Sequence, residues 1–306
     1  FLRAPVPRSE GGLFESFATS TRPIAELLRT LASGDPLVAL VAAMHPAVLS
    51  FWLAVDEAPD PSEVEAWAEQ RRFVFGSALD GHWWGTITSE PGSGGDVSRT
   101  RTVAVPTDEP LVHRLTGAKH FGSGSGITSF MITTARREDE ADPATFYIDV
   151  RDRPWDGSAG LELAAPWDGM GMAATQSHAM RLVDVPATRM AATLDAATVF
   201  ATTSASTVTL FLAVVLGVVE TAVDEARARL GPRSGDLRPY EQVEWSRAVT
   251  EAWLVEQAYE GALRAVETSA FPLPAALRAK TGAAELAESC LTRLSRVIGG
   301  GAFSRS

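Results

Sequence analysis

Lysine is almost missing from this 306-residue chain: of 27 cationic residues only Lys119 and Lys280 are lysines, and they face 38 acidic ones. The formal charge of -11 excludes a general nucleic-acid or anionic-membrane surface, so an anionic ligand has to be met by a local arginine cluster. A single cysteine, Cys290, excludes an internal disulfide, and no Cys/His spacing resembles a zinc site. Both absences suit a reducing cytoplasm. The longest apolar run, 208–219 (VTLFLAVVLGVV), is roughly a dozen residues against the ~20 that span a bilayer, and reads as a buried helix. No signal-peptide pattern opens the chain. It begins abruptly at Phe1 and stops at Ser306 just after a glycine cluster, which reads as trimming at both ends.

What is present falls into three stretches. From 1 to 81 the apolar residues recur at helical spacing: Ile24, Leu27, Leu28 and Leu31 behind a Ser20 or Thr21 cap, then a helix from Asp35-Pro36, then one capped by Asp60-Pro61-Ser62. From 82 to 190 the period changes to that of strands. Segments 100–105, 111–115, 129–134 and 145–150 are short, β-branched and bounded by Pro, Gly or Asp, with 160–163 and 179–183 adding two more. From 191 to 306 helices return, at 208–229, 239–268 and 274–297, with short breaks that suit an antiparallel bundle. The fold class is therefore α+β: an N-terminal helical domain (1–81), a middle antiparallel β-sheet or barrel domain (82–190) and a C-terminal antiparallel four-helix bundle (191–306).

Four strings carry chemistry. Ser89-Glu-Pro-Gly-Ser-Gly-Gly-Asp96 puts hydroxyls, carboxylates and bare backbone N–H groups in one turn-rich loop, suited to a polar planar ligand. Gly117-Ala-Lys-His-Phe-Gly-Ser-Gly124 follows, then Trp167 to Ser177 with Asp184-Val-Pro186, and finally Val297-Ile-Gly-Gly-Gly-Ala-Phe303. In this order they resemble the Thr-Glu-Pro-x-x-Gly-Ser-Asp, Gly-x-Lys-x-aromatic-x-Ser/Thr, Gly-x-Arg-x-Ser/Thr-x-Ser/Thr and terminal-glycine signatures of the acyl-CoA dehydrogenase superfamily.

The resemblance implies a flavin, FAD or alternatively reduced FMN, held between the middle sheet domain and the C-terminal bundle. Ser89, with backbone from Thr86 and Thr88, is expected to grip the ring, Phe121 to lie against a ring face and Ser123 to hydrogen-bond near N5. Hydroxyl and backbone donors suit the charge that a reduced ring carries. Gly94 and Gly95 fall where an acyl thioester is met, the family serine being Gly95 here, and Arg99 and Arg101 either meet a coenzyme A phosphate or are solvated. Arg296, Gly299 and Gly300 match a subunit-crossing cofactor contact, or simply end a helix. Glu90 reads as structural. Of the histidines, His45 is either a base near the flavin or a helix histidine, His82 and His113 read as turn and strand-edge residues, and His120 is expected to point away from Phe121.

The first function implied is α,β-dehydrogenation of an acyl-CoA, hydride passing to flavin N5. The family's base is a glutamate early in the first bundle helix or beyond the terminal glycines. No acid lies between Asp195 and Glu220, so the base would fall beyond Ser306. The alternative is a two-component, reduced-flavin-dependent monooxygenase, which the strings Phe121-Gly-Ser-Gly124 and Gly300 to Arg305 resemble at least as well. A non-catalytic homologue is a third reading. The family's Arg-x-x-Phe-Gly segment is altered here to Arg227-Ala-Arg-Leu-Gly-Pro-Arg233. Expected partners are a small-molecule substrate, an electron acceptor protein or flavin reductase, and further copies of the chain in a homodimer or homotetramer.

Overall fold

The computed structural model describes residues 1–194 and 196–303, and for 196–198, 200, 201, 232–234 and 303 the backbone alone. Its contacts group into two compact units, Phe1–Glu15 with Met44–Phe200, and Ser16–Ala43 with Ala201–Ser306.

The first unit is built on a mixed sheet of seven strands: β1 (Trp84–Thr86), β2 (Val103–Pro106), β3 (Val112–Gly122), β4 (Phe130–Ala135), β5 (Ala144–Asp149), β6 (Leu161–Ala165) and β7 (His178–Arg189). The order is β1-β4-β5-β7-β3-β2, with β6 also on β7. One pair departs from the antiparallel expectation: β1 runs parallel to β4, since the chain between them spends β2 and β3 at the far end of the sheet before returning. The strands at 111–115 and 179–183 prove much longer than their apolar cores, because β3 and β7 pair along most of their length. Apolar residues of β3, β4, β5 and β7 close one core (Leu115, Met131, Phe146, Ile148, Leu182, Val185). A second core joins Trp52 of α2 (Pro36–Leu53), Trp67 and Phe75 of α3 (Val64–Leu79), Trp84 and Phe130.

The second unit contains α1 (Phe17–Gly34), α4 (Ala196–Leu230) from Ala201 on, α5 (Pro239–Thr268) and α6 (Leu273–Ile298), besides the start of α2. Helix α1 starts earlier than expected because Ser16, not Ser20 or Thr21, is its cap, accepting from the Thr19 N–H at 3.2 Å. Pro23 is therefore interior to it. The arginines of α1 tie it to this unit: Arg22 donates to Glu260 and Glu267 of α5, and Arg29 donates to Glu220 of α4. Tyr259 closes the contact by donating to Glu26 at 2.8 Å.

Helix α4 begins twelve residues before the expected 208. The stretch 202–209 is rich in Thr and Ser, which have poor helix propensity, but hydroxyls such as Thr209 fold back onto the carbonyl four residues earlier. Two helical windows, Pro36–Leu53 and Thr202–Leu230, are long and apolar enough to cross a membrane by composition, and over half of each is buried within the protein.

Candidate functional site

The first two motif strings are joined by a buried ion pair. Lys119 of β3 donates to Glu90 at 2.8 Å and to the Thr134 carbonyl at 2.7 Å, with both charged side chains at most 3% exposed. Glu90 also accepts from the N–H groups of Arg101 and Thr102 and from the Thr102 hydroxyl. Burial alone would raise the Glu90 carboxyl, but Lys119, Thr102 and the two amides outweigh it and hold it at about 2. Gly117 is required by the same arrangement: a Cβ there would lie 2.3 Å from the Thr102 hydroxyl and 2.8 Å from its Cα. Glu90 and Lys119 thus fix the loop to the sheet, the structural role expected of Glu90 and one the sequence did not assign to Lys119.

Beyond Glu90 the loop turns on Gly92, Gly94 and Gly95, all with positive φ. Ser93 folds inward, donating to the Glu90 carbonyl and accepting from the Gly95 N–H. The hollow bounded by Thr88, Ser89, Glu90, Ser93 and Gly95 is too narrow to admit even a water-sized molecule. Gly94 and Gly95 face open space, and Arg99 is exposed.

Next to the loop, Ile87 turns into the sheet core while Thr86 and Thr88, two residues apart, stay half-buried. The side-chain hydroxyls of Thr86, Thr88 and Ser89 have no hydrogen-bond partner among the described residues. The Ser89 carbonyl accepts from the His120 N–H at 3.0 Å, which sets this hydroxyl group beside the second string.

At that point β3 bulges between Lys119 and Gly122, and Phe121 takes a left-handed φ of 57°. The bulge overturns the strict alternation expected of a strand: the His120 and Phe121 rings lie side by side, centroids 4.1 Å apart, instead of on opposite faces. Phe121 is 51% exposed and meets Trp167 edge-on at 5.9 Å. Behind it Ser123 is buried, its hydroxyl 2.9 Å from that of Ser177, which in turn is 2.8 Å from that of Thr175. Two more left-handed residues, Met172 and Gln176, flank Thr175, and the Gly124 N–H donates to the Thr175 carbonyl at 2.7 Å. Three non-glycine residues with left-handed backbone, Phe121, Met172 and Gln176, thus surround one hydroxyl chain.

The other candidates separate from this cluster. His45 is fully buried: its Nδ1 accepts from the Trp84 N–H at 3.1 Å and its Nε2 donates to the Leu2 carbonyl at 3.3 Å. Burial, against the Leu2 contact, lowers it to about 4. A base role would have to break both bonds. His113 is buried within β3 rather than at a strand edge, and His178 accepts from the Trp167 N–H, fixing the third string's start. Arg296, exposed at the end of α6, pairs loosely with Glu244, and Gly299 ends that helix with φ 74° as Gly300 follows. These belong to the helical unit. The Arg233 side chain, Ser304 and Arg305 lie outside the described residues.

No protein-family model matches the chain. In sequence, 113 residues, 37% of the chain, are 27% identical to a butyryl-CoA dehydrogenase of Syntrophomonas wolfei subsp. wolfei, of which they span 18%. In structure, FMN-bound TdsC from Paenibacillus sp. A11-2 is 19% identical and superposes with a TM-score of 0.75 over 99% of this chain and 79% of its own. Methanesulfinate monooxygenase MsuC from Pseudomonas fluorescens gives 19% identity and 0.73 over 99% and 78%, and a steroid ACAD variant 22% and 0.72 over 99% and 76%. The chain therefore has the fold of the acyl-CoA dehydrogenase superfamily, the frame on which dehydrogenases and flavin monooxygenases are both built.

Proposed function

We propose that the chain is a flavin-dependent oxidoreductase that uses reduced flavin, FMN or FAD, to oxygenate a small molecule. The observation that carries the flavin is the set of half-buried, unpartnered hydroxyls at Thr86, Thr88 and Ser89 beside a half-exposed, backbone-strained Phe121. Such hydroxyls fit the polar edge of an isoalloxazine, and an exposed aromatic fits its face. When bound, the flavin supplies the redox chemistry that side chains lack. Ser89, Thr86 and Thr88 would hold its polar edge, Phe121 and the neighbouring Trp167 would cover a ring face, and Ser123 would offer its hydroxyl to the ring. Arg296, Gly299 and Gly300 would meet the cofactor of a further copy of the chain.

Oxygenation is preferred to acyl-CoA dehydrogenation because Gly95 offers a thioester backbone only and because the string Phe121-Gly-Ser-Gly124 resembles the monooxygenase branch. Similarity to TdsC, whose structures include one described as a dibenzothiophene monooxygenase, and to MsuC supports it. The butyryl-CoA dehydrogenase match keeps dehydrogenation as the second reading. A flavin reductase would be the partner of the first, an electron acceptor protein of the second.

Anaerobic titration with oxidised and reduced FMN and FAD, followed by acyl-CoA or by oxygen, decides. Tight uptake of reduced flavin and no bleaching of oxidised flavin by acyl-CoA support oxygenation, bleaching supports dehydrogenation, and failure to bind any flavin overturns both. Phe121→Ala should weaken flavin binding about tenfold, roughly the worth of one aromatic contact, while leaving the unfolding midpoint in place.

A further inference from the structure

The hydroxyl chain behind Phe121 has a fixed polarity. Each hydroxyl carries one proton and accepts through its lone pairs. Thr175 donates to the Met172 carbonyl at 2.8 Å, and a carbonyl only accepts, so the Thr175 proton is committed there. Ser177, 2.8 Å from Thr175, must then be the donor of that bond. Its proton spent, Ser177 in turn accepts from Ser123 at 2.9 Å. The Ser123 proton is thus spent on Ser177. Ser123 is left with lone pairs alone.

We infer that Ser177 and Thr175 are specificity-determining residues which, by drawing the Ser123 proton inward, make Ser123 an acceptor and so select the reduced, N5-protonated flavin over the oxidised one. This rests on the flavin reading above. Oxidised flavin presents at N5 a lone pair, which a lone pair on Ser123 repels, whereas reduced flavin presents an N–H. The strain around the chain fits this use: Phe121, Met172 and Gln176 are all left-handed, and the Gly124 N–H to Thr175 carbonyl bond ties the two motif strings that hold the hydroxyls. Thr175, where the chain of protons ends, is only 1% exposed, so water does not compete for the Met172 carbonyl.

The test is the ratio of dissociation constants for oxidised and reduced FMN, measured anaerobically by fluorescence for the intact chain and its variants. The wild type should bind the reduced form about tenfold tighter, the worth of one net hydrogen bond. Ser177→Ala and Thr175→Val both release the Ser123 proton, directly or through a reversed Ser177, and should bring the ratio to about one. Ser177→Thr keeps the relay and should restore the preference, separating the polarity of the chain from mere packing. A wild-type ratio near one, or a ratio unmoved in both Ser177→Ala and Thr175→Val while flavin still binds, overturns the inference and leaves the flavin reading standing. Binding of neither redox form overturns both.

Discussion

At the scale of single residues, the buried Glu90 and Lys119 pair shows what the motif strings are for. Both charges are out of water, and Glu90 collects four donors besides the long contact to the Arg101 guanidinium. Removing one partner of such a pair strands the other, at about 3–5 kcal/mol. Lys119→Met should therefore cost roughly that much in urea unfolding at pH 7, and should loosen the loop that carries Ser89. The sign with pH follows from the carboxyl being held at about 2, below its unfolded value. Its contribution is complete above the unfolded carboxylate range and is lost as pH falls towards 2, so acid should weaken the wild type more than Lys119→Met. Equal acid sensitivity of the two proteins, or a cost below 1 kcal/mol, would contradict the assignment.

At the scale of elements, the sequence was most legible where a period or a breaker is strong. The bounds of α5 were readable from Pro239 and from the break after Thr268, and six of the seven strands from β-branched runs between Gly, Pro and Asp. It was least legible where contacts across the chain decide. Nothing local in 17–34 says that α1 pairs with α4 and α5, since Arg22 and Arg29 find their carboxylates some 190 to 245 residues away. The bulge at Phe121 is equally hidden, because a strand pattern gives alternation and only the register against β7 breaks it. Ser89, Phe121, Ser123 and the Thr175-Gln-Ser177 end of the third string were all visible as motif residues, but only the fold showed that the hydroxyls of 123, 175 and 177 meet.

Gly217, inside the apolar run 208–219, has a reason at this scale. A Cβ there would lie 2.5 Å from the Arg29 carbonyl and 2.7 Å from the Ala32 Cβ, so α1 and α4 approach backbone to side-chain root. The obstacle is backbone and cannot swing aside. Gly217→Ala should destabilise by about 1–3 kcal/mol and Gly217→Val by more, despite the better helix propensity of alanine. Urea midpoints read the effect, and a gain in stability from Gly217→Ala would show that the two helices are free to separate.

At the scale of the whole molecule, two opposed electrostatic effects govern how the chain answers to acid. The formal charge of -11 makes it repel itself at neutral pH, and lowering the pH towards the sequence pI of about 5.0 relieves that repulsion. His45 acts the other way. Burial holds it at about 4 in the folded chain, below the usual histidine value, so the folded state resists a proton that the unfolded state takes up. Its contribution is complete above about 6.5 and falls as pH drops towards 4, by about 3 kcal/mol in all. Surface repulsion is spread over many exposed groups and is screened beyond ~8 Å at physiological salt, whereas a fully buried ring is not. The local term should therefore win in 0.15 M salt, and the wild type should lose stability between pH 6.5 and 4.5. His45→Gln keeps an acceptor for the Trp84 N–H and a donor for the Leu2 carbonyl without a titrating ring. Its stability curve over that window should be flat or rising, as net charge alone dictates. Parallel curves for the two proteins would mean that His45 takes up its proton in the folded state as readily as in the unfolded one.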